Sequence, residues 1–126
     1  MKIQLNNWKI TDLNFTFLDK NKRDENSFGL KSSNFFPENE KKSFGVIFNL
    51  EIKDVDFDLN VESMFTFSVD DDISEEFKLS NFPKINAPAI AFPYLRAFVS
   101  NLTLQSGFEP VMLPSINFVK LAEENE

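Results

Sequence analysis

The chain has 126 residues, 42% of them hydrophobic and 26% charged, which fits one globular domain with a modest core and excludes a disordered polymer. Its net charge of −7, with thirteen scattered basic residues, argues against a nucleic-acid partner, and no apolar run nears the roughly 20 residues that span a bilayer. Cysteine and histidine are both absent, which removes disulfides, thiol nucleophiles, thiolate metal sites and the commonest general base, so an enzyme is disfavoured and neither cofactor nor metal is implied.

The chain opens on Met1-Lys2-Ile3-Gln4-Leu5-Asn6-Asn7-Trp8, polar too early for a signal peptide, so a soluble chain kept in the cytosol is expected. Residues 3–17 read as a strand whose apolar phase shifts twice, from Ile3 and Leu5 to Trp8 and Ile10, then to Leu13, Phe15 and Phe17. Two shifts predict bulges or a bend. Residues 19–27 are polar and form a loop, with Lys20, Lys22 and Arg23 as a small solvated basic cluster. A short strand follows over Phe28–Phe36, ended by Pro37-Glu38-Asn39-Glu40.

From Ser43 the alternation is clean: Phe44, Val46, Phe48, Leu50 and Ile52 share one side, the signature of a half-buried antiparallel strand. Another runs from Asp56 to Val69 with Phe57, Leu59, Val61, Phe65, Phe67 and Val69 in register. The turn between them, Lys53 to Asp56, carries no glycine or proline. Residues 70–77, "DDDISEEF", predict an acidic turn and one helical turn capped by Ser74.

A long helix is expected after "SNFPKINAP", with Asn86 as N-cap, Pro88 in the first turn and Gly107 as the residue that ends it. Ala91, Leu95, Phe98 and Leu102 form one apolar stripe, while Ile90, Phe92, Val99 and Leu104 lie largely off it. Such a helix is buried on several sides, either by the extended segment 108–118 or by another subunit. Pro93 removes the helical donor for the Ala89 carbonyl and predicts a kink. Arg96 and Tyr94 each need a polar partner, which points to structural anchors. The segment "FEPVMLPSINF" (108–118) is extended, and "AEENE" is a frayed tail.

Two patterns invite a sharper reading. In "DVDFDLNVE", Asp54, Asp56, Asp58, Asn60 and Glu62 fall at every second position, but the glycine and glutamate of a calcium loop are missing at the sixth and twelfth places. The run is the wet face of a strand, and its negative patch either docks a basic partner or is merely solvated. The sixteen phenylalanines serve either as core filler or as an interface or groove.

Pro88, Ile90, Phe92, Pro93, Tyr94 and Arg96, in the order "PxIxFPYxR", resemble the helix signature of the SecB protein-export chaperone family, and "INF" at Ile116-Asn117-Phe118 follows at the matching distance. The resemblance implies an α+β fold: a four-stranded antiparallel sheet with a long kinked C-terminal helix packed on one face, as a single domain over residues 1–126. It implies a homo-oligomer, a tetramer built as a dimer of dimers, with the long helices at the subunit interface. It also implies an ATP-independent holdase that binds unfolded polypeptides or preproteins in an apolar groove and can pass them to SecA. An alternative within the same fold is an adaptor, or a chaperone dedicated to one partner such as an antitoxin.

On that basis the groove is expected on Phe65 and Phe67 of the last strand, Phe92 and Phe98 of the helix, and Phe108, Met112 and Leu113 of the following loop. Asp12 and Asp58 match SecA-docking positions, with Thr16 where another carboxylate would stand. Pro93, Tyr94, Arg96 and Asn117 are expected to be structural. Glu62 and Ser63 replace glycines that usually precede the last-strand Phe, Ser115 stands where the family has a proline, and the second C-terminal helix is expected to be short.

Overall fold

A computed structural model describes residues 2–19 and 23–124, so Lys20 and Lys22 of the basic loop lie outside the described residues. Four strands form one antiparallel sheet: β1 (Ile3–Phe17), β2 (Ser27–Phe35), β3 (Ser43–Lys53) and β4 (Phe57–Val69), in the spatial order β1-β4-β3-β2. The two phase changes predicted in β1 are two bulges against β4, between Leu5 and Asn7 and between Ile10 and Asp12. Each extra residue restores the apolar set to the core face, because side chains alternate with a period of two.

The β3–β4 turn needs no glycine because aspartate makes it. Asp54 Oδ1 accepts the Asp56 N–H at 2.9 Å, and across the loop Asn26 Oδ1 accepts the Val55 N–H at 2.9 Å. Along β3 and β4 the alternation holds throughout. Phe44, Val46, Phe48, Leu50 and Ile52 on β3, and Phe57, Leu59, Val61, Phe65, Phe67 and Val69 on β4, are buried on one face.

Ser74 caps the short α1 (Glu75–Lys78), its hydroxyl accepting the Phe77 N–H at 3.0 Å, as its sequence predicts. The long helix starts differently. Asn86 is not an N-cap: its backbone is already helical and its side chain makes no capping bond. A π-helical turn over Phe82–Asn86, in which Ala87 N–H reaches back to the Phe82 carbonyl, leads directly into α2 (Ala87–Gln105). The physical reason is Pro88, whose ring crowds the carbonyl four residues earlier in a regular helix, a clash that a wider turn relieves. Pro88 also has no N–H for the Pro83 carbonyl, and Asn34 Nδ2 on β2 donates to that oxygen instead, at 2.7 Å. Helix start and edge strand are thereby tied together.

Gly107 ends the helix with φ +95°, and Phe108 N–H donates to the Thr103 carbonyl at 3.0 Å while Gly107 N–H donates to that of Leu104 at 3.1 Å. This is the left-handed cap that glycine adopts without steric cost. Segment 109–117 has no regular structure, and α3 (Phe118–Glu124) follows, so Ala122 to Glu124 close a helix instead of fraying.

The sheet's core face, α2, segment 108–118 and α3 share one core. Trp8 stacks on Phe65 at 4.9 Å, Phe65 meets Phe48 edge-on, and Phe48 meets Phe92 and Phe118. The buried arc of α2 is Ala91, Phe92, Leu95, Val99 and Thr103, with Phe98 and Leu102 half-buried on its flank. The expected stripe is thus rotated toward Phe92 and Val99, because Phe118 covers Phe92 and Val111 reaches Thr103. Ile90, Tyr94 and Leu104 stay exposed at 45%, 50% and 56%.

Candidate functional site

Two clefts open on the helix side of β2. One, of about 350 Å³, lies between the start of β2 and segment 109–114; Phe28, Ile52, Met112 and Leu113 give it an apolar lining, with Asp54 and Glu109 among its polar groups. The other, of about 240 Å³, lies between the end of β2 and α3 and is lined by Asn34, Lys84, Phe118, Leu121 and Ala122, among others. The wall of the first is fixed by Thr103, which is fully buried. Its hydroxyl donates to the Val99 carbonyl at 2.9 Å and accepts the Val111 N–H at 2.9 Å. Segment 109–114 therefore hangs from α2 by a buried side chain. The wall of the second is set by Asn117, whose Oδ1 accepts the Lys120 N–H at 3.1 Å and so caps α3.

A third apolar surface lies on the far side of α2. It is an open depression of about 630 Å³ lined by Trp8, Pro93, Tyr94, Ala97, Phe98 and Asn101. Pro93 sits within α2, Tyr94 is half exposed, and neither the Tyr94 hydroxyl nor the Arg96 guanidinium has a polar partner among the described residues. The anchoring contacts expected of Tyr94 and Arg96 are therefore not made among the described residues.

The seven residues expected to form a groove do not lie together. Phe65 and Phe67 are fully buried, and Phe92 and Leu113 are 3% and 4% exposed. These four are core in this chain. Phe65 is sandwiched between Trp8 and Phe48, Phe67 stacks on Phe44, and Phe92 is held between Phe48 and Phe118. Leu113 still contributes the floor of the first cleft. Phe98 packs edge-on to Trp8 on the far side of α2, and Phe108 packs against Phe15, Phe17 and Phe57 at the sheet's end. Met112, 73% exposed, stands in the first cleft. Sequence reading missed Phe28, 41% exposed on β2, which faces the same cleft. It also missed Thr103, which looks like an ordinary helix residue until Val111 folds onto it.

The solvent face of the sheet carries the acidic run. Asp12 and Glu62 stand opposite one another in the β1–β4 register, beside a depression of about 340 Å³ that Glu51, Lys31 and Asn60 also line. Asp58 is engaged: Arg23 Nη1 donates to its Oδ1 at 2.8 Å. Asp54 and Asp56 belong to the turn, and among the described residues no His, Cys, Asp and Glu side chains gather as a metal site. Asp70, at the end of β4, titrates below the usual carboxylate range because the Lys2 backbone N–H donates to its Oδ1 at 2.9 Å.

Comparison with known proteins gives this geometry a family. The family model described as preprotein translocase subunit SecB matches residues 38–126. The protein-export protein SecB of Roseobacter denitrificans is 36% identical over 74 residues, covering 56% of this chain and 43% of the relative. That of Anaplasma phagocytophilum is 33% identical over 61 residues, 48% of this chain and 38% of the relative. An uncharacterized protein of Methanocaldococcus jannaschii, MJ0357, is 48% identical over 40 residues, 32% of this chain and 26% of the relative. The matches therefore span less than half the length of each of these relatives. Among solved structures, the SecB-like chaperone Rv1957 of Mycobacterium tuberculosis, in complex with a ChAD peptide from the Rv1956 HigA1 antitoxin, superposes with a TM-score of 0.71 at 15% identity, covering 91% of this chain and 88% of that one. A protein of unknown function from Streptococcus agalactiae follows at a TM-score of 0.56, 13% identity and 91% and 98% coverage. At such identities the superpositions speak for the fold, and the family model, which covers well over half of the sequence, speaks for kinship: this chain belongs to the SecB family.

Proposed function

We propose that the protein is an ATP-independent holdase whose clefts beside β2 hold apolar segments of unfolded chains. The observation that carries this reading is the placement of Phe28 and Met112, both exposed, on walls that are themselves fixed by the sheet and by buried Thr103. Open apolar clefts with an adaptable methionine suit many sequences over one. Phe98, beside Trp8 and Tyr94 on the far side of α2, belongs in this reading to a self-assembly surface, consistent with a tetramer built as a dimer of dimers. The exposed apolar side chains Ile90, Tyr94 and Leu104 favour such a cover. The acidic solvent face around Asp12 and Glu62 is the surface offered to SecA, with Asp58 secondary because Arg23 already holds it. Preproteins in a cytosolic setting would be the clients of an export role.

A dedicated chaperone for a single partner is the second reading. It is favoured by the likeness in fold to Rv1957, whose structure holds an antitoxin peptide. The two readings separate in one assay: aggregation of a chemically unfolded model substrate at stoichiometric protein without ATP, with mass measured by light scattering. Protection by a tetramer supports the general holdase. Absence of protection refutes it and leaves the dedicated role.

A further inference from the structure

We propose that Met112 is a modification site: a hydroperoxide oxidises its thioether to one sulfoxide epimer, and the oxidised side chain weakens the hold of the cleft beside β2 on apolar segments. The modification stands on the geometry around Met112, whereas its consequence rests on the client-binding reading above.

The chain has no cysteine and three methionines, so thioethers are its only sulfur and the side chains most open to two-electron oxidation. Of the two methionines among the described residues, Met64 is half-buried on β4, in register with Lys9 of β1 and Ile47 of β3. Met112 is 73% exposed. Its exposure is not looseness, because two neighbouring residues fasten segment 109–114 to one face of α2. Val111 N–H donates to the Thr103 hydroxyl at 2.9 Å, and Ser100, one helical turn earlier, donates its own hydroxyl to Met112 Sδ at 3.5 Å. Pro110 and Pro114 stiffen the segment on either side. One side of the sulfur therefore faces a fixed hydroxyl, and the other faces solvent.

That asymmetry sets the chemistry. A thioether sulfur has two lone pairs, and adding oxygen to one or the other gives different epimers. The Ser100 hydroxyl engages one lone pair, so a peroxide approaches the other. The S–O bond forms as the O–O bond breaks. The departing oxygen keeps the bonding pair, takes the proton from the transferred oxygen, and leaves hydrogen peroxide as water. Sulfur is oxidised by two electrons and the peroxide is reduced by two. The product sets a strong S–O dipole beside Phe28, Ile52 and Leu113, in a cleft that Asp54 and Glu109 already border. An apolar segment then settles there only by stripping water from the new oxygen, which costs affinity.

The test treats the full chain with hydrogen peroxide, quenches it with catalase, and locates added oxygen by peptide mass spectrometry. The two methionine sulfoxide reductases, each specific for one epimer, then report the epimer ratio at Met112. Oxidation at Met112 should precede that at Met64, with one epimer exceeding the other by about threefold or more in the parent and near-equal amounts in Ser100→Ala. On the same samples, affinity for a permanently unfolded, fluorescently labelled protein without ATP should fall by about fivefold on oxidation and return after reduction. In Met112→Leu, whatever its starting affinity, the same treatment should change binding by less than about twofold. Oxidation of Met64 as fast as Met112, or equal epimers in the parent, overturns the site. A Met112 sulfoxide that leaves the affinity unchanged overturns its control of binding. An untreated parent that binds no unfolded protein overturns the holdase reading and that control together, and the epimer ratio still decides the modification.

Discussion

Replacing Thr103 by valine removes one hydroxyl from the core and nothing else of comparable size. Valine keeps the branched shape, so no cavity opens, and its helix propensity is close to that of threonine. The bond from Thr103 Oγ1 to the Val99 carbonyl, 2.9 Å, is local to α2 and its loss costs little. The bond that matters is the one accepted from the Val111 N–H at 2.9 Å, since Val111 is half-buried and its amide has no second acceptor among the described residues. A stranded donor of this kind costs about 1–3 kcal/mol, offset in part by the greater burial preference of a methyl group, which leaves a net loss of about 1–2 kcal/mol. For a chain of this length that corresponds to a fall in Tm of about 3–8 °C. The second consequence is local: segment 109–114 loses its hold on α2, so the Val111 amide should exchange with solvent much faster, and cleft binding should weaken with it. Hydrogen exchange followed by NMR, alongside thermal unfolding, measures both. An unchanged Val111 exchange rate would refute the claim that Thr103 holds the wall.

Ser63 offers the opposite sign. It is fully buried on β4 with a hydroxyl that has no partner among the described residues, so Ser63→Ala should raise stability by about 1 kcal/mol in urea unfolding, whereas a loss would reveal an unrecognised bond. Gly107→Ala should cost about 1 kcal/mol through backbone strain alone, because φ is +95° and a Cβ there would meet nothing within 4 Å. Asp70 has its carboxyl held below the usual range by the Lys2 N–H, so its contribution is present above its unfolded value near 3.8 and disappears as pH falls through the folded value. An NMR titration in which the Asp70 carboxyl moves at or above the ordinary carboxylate value contradicts this.

The sheet was legible because its information is periodic. Alternation from Phe44 to Ile52 and from Phe57 to Val69 marks the core face of β3 and β4, and the slips within β1 are bulges because a one-residue shift exchanges faces. The same parity already grouped Phe65 and Phe67 with Leu59 and Val61, which is why those two fill the core and not a groove. What escaped was set by contacts distant in sequence. Asn86 resembles a cap, yet the helix begins earlier because Asn34, on another strand, satisfies the Pro83 carbonyl that Pro88 leaves without a donor. Thr103 gains its role only when Val111 returns to α2, and Phe28 gains its role only when segment 109–114 builds a wall across from it. Phe92 reads as lying off the stripe until Phe118 covers it.

The central claim is that the clefts beside β2 hold unfolded chains, and exposed residues test it without disturbing the core. Phe28 and Met112 are 41% and 73% exposed, so Phe28→Asp combined with Met112→Asp should leave circular dichroism and thermal unfolding close to those of the parent. The measurement is the affinity of parent and double variant for a permanently unfolded, fluorescently labelled protein in the absence of ATP. The account predicts that the parent binds and that the double variant binds at least about tenfold more weakly, since two apolar contacts are replaced by carboxylates in a cleft already bordered by Asp54 and Glu109. Equal affinity in a folded double variant would contradict the account and place the client surface elsewhere on the molecule.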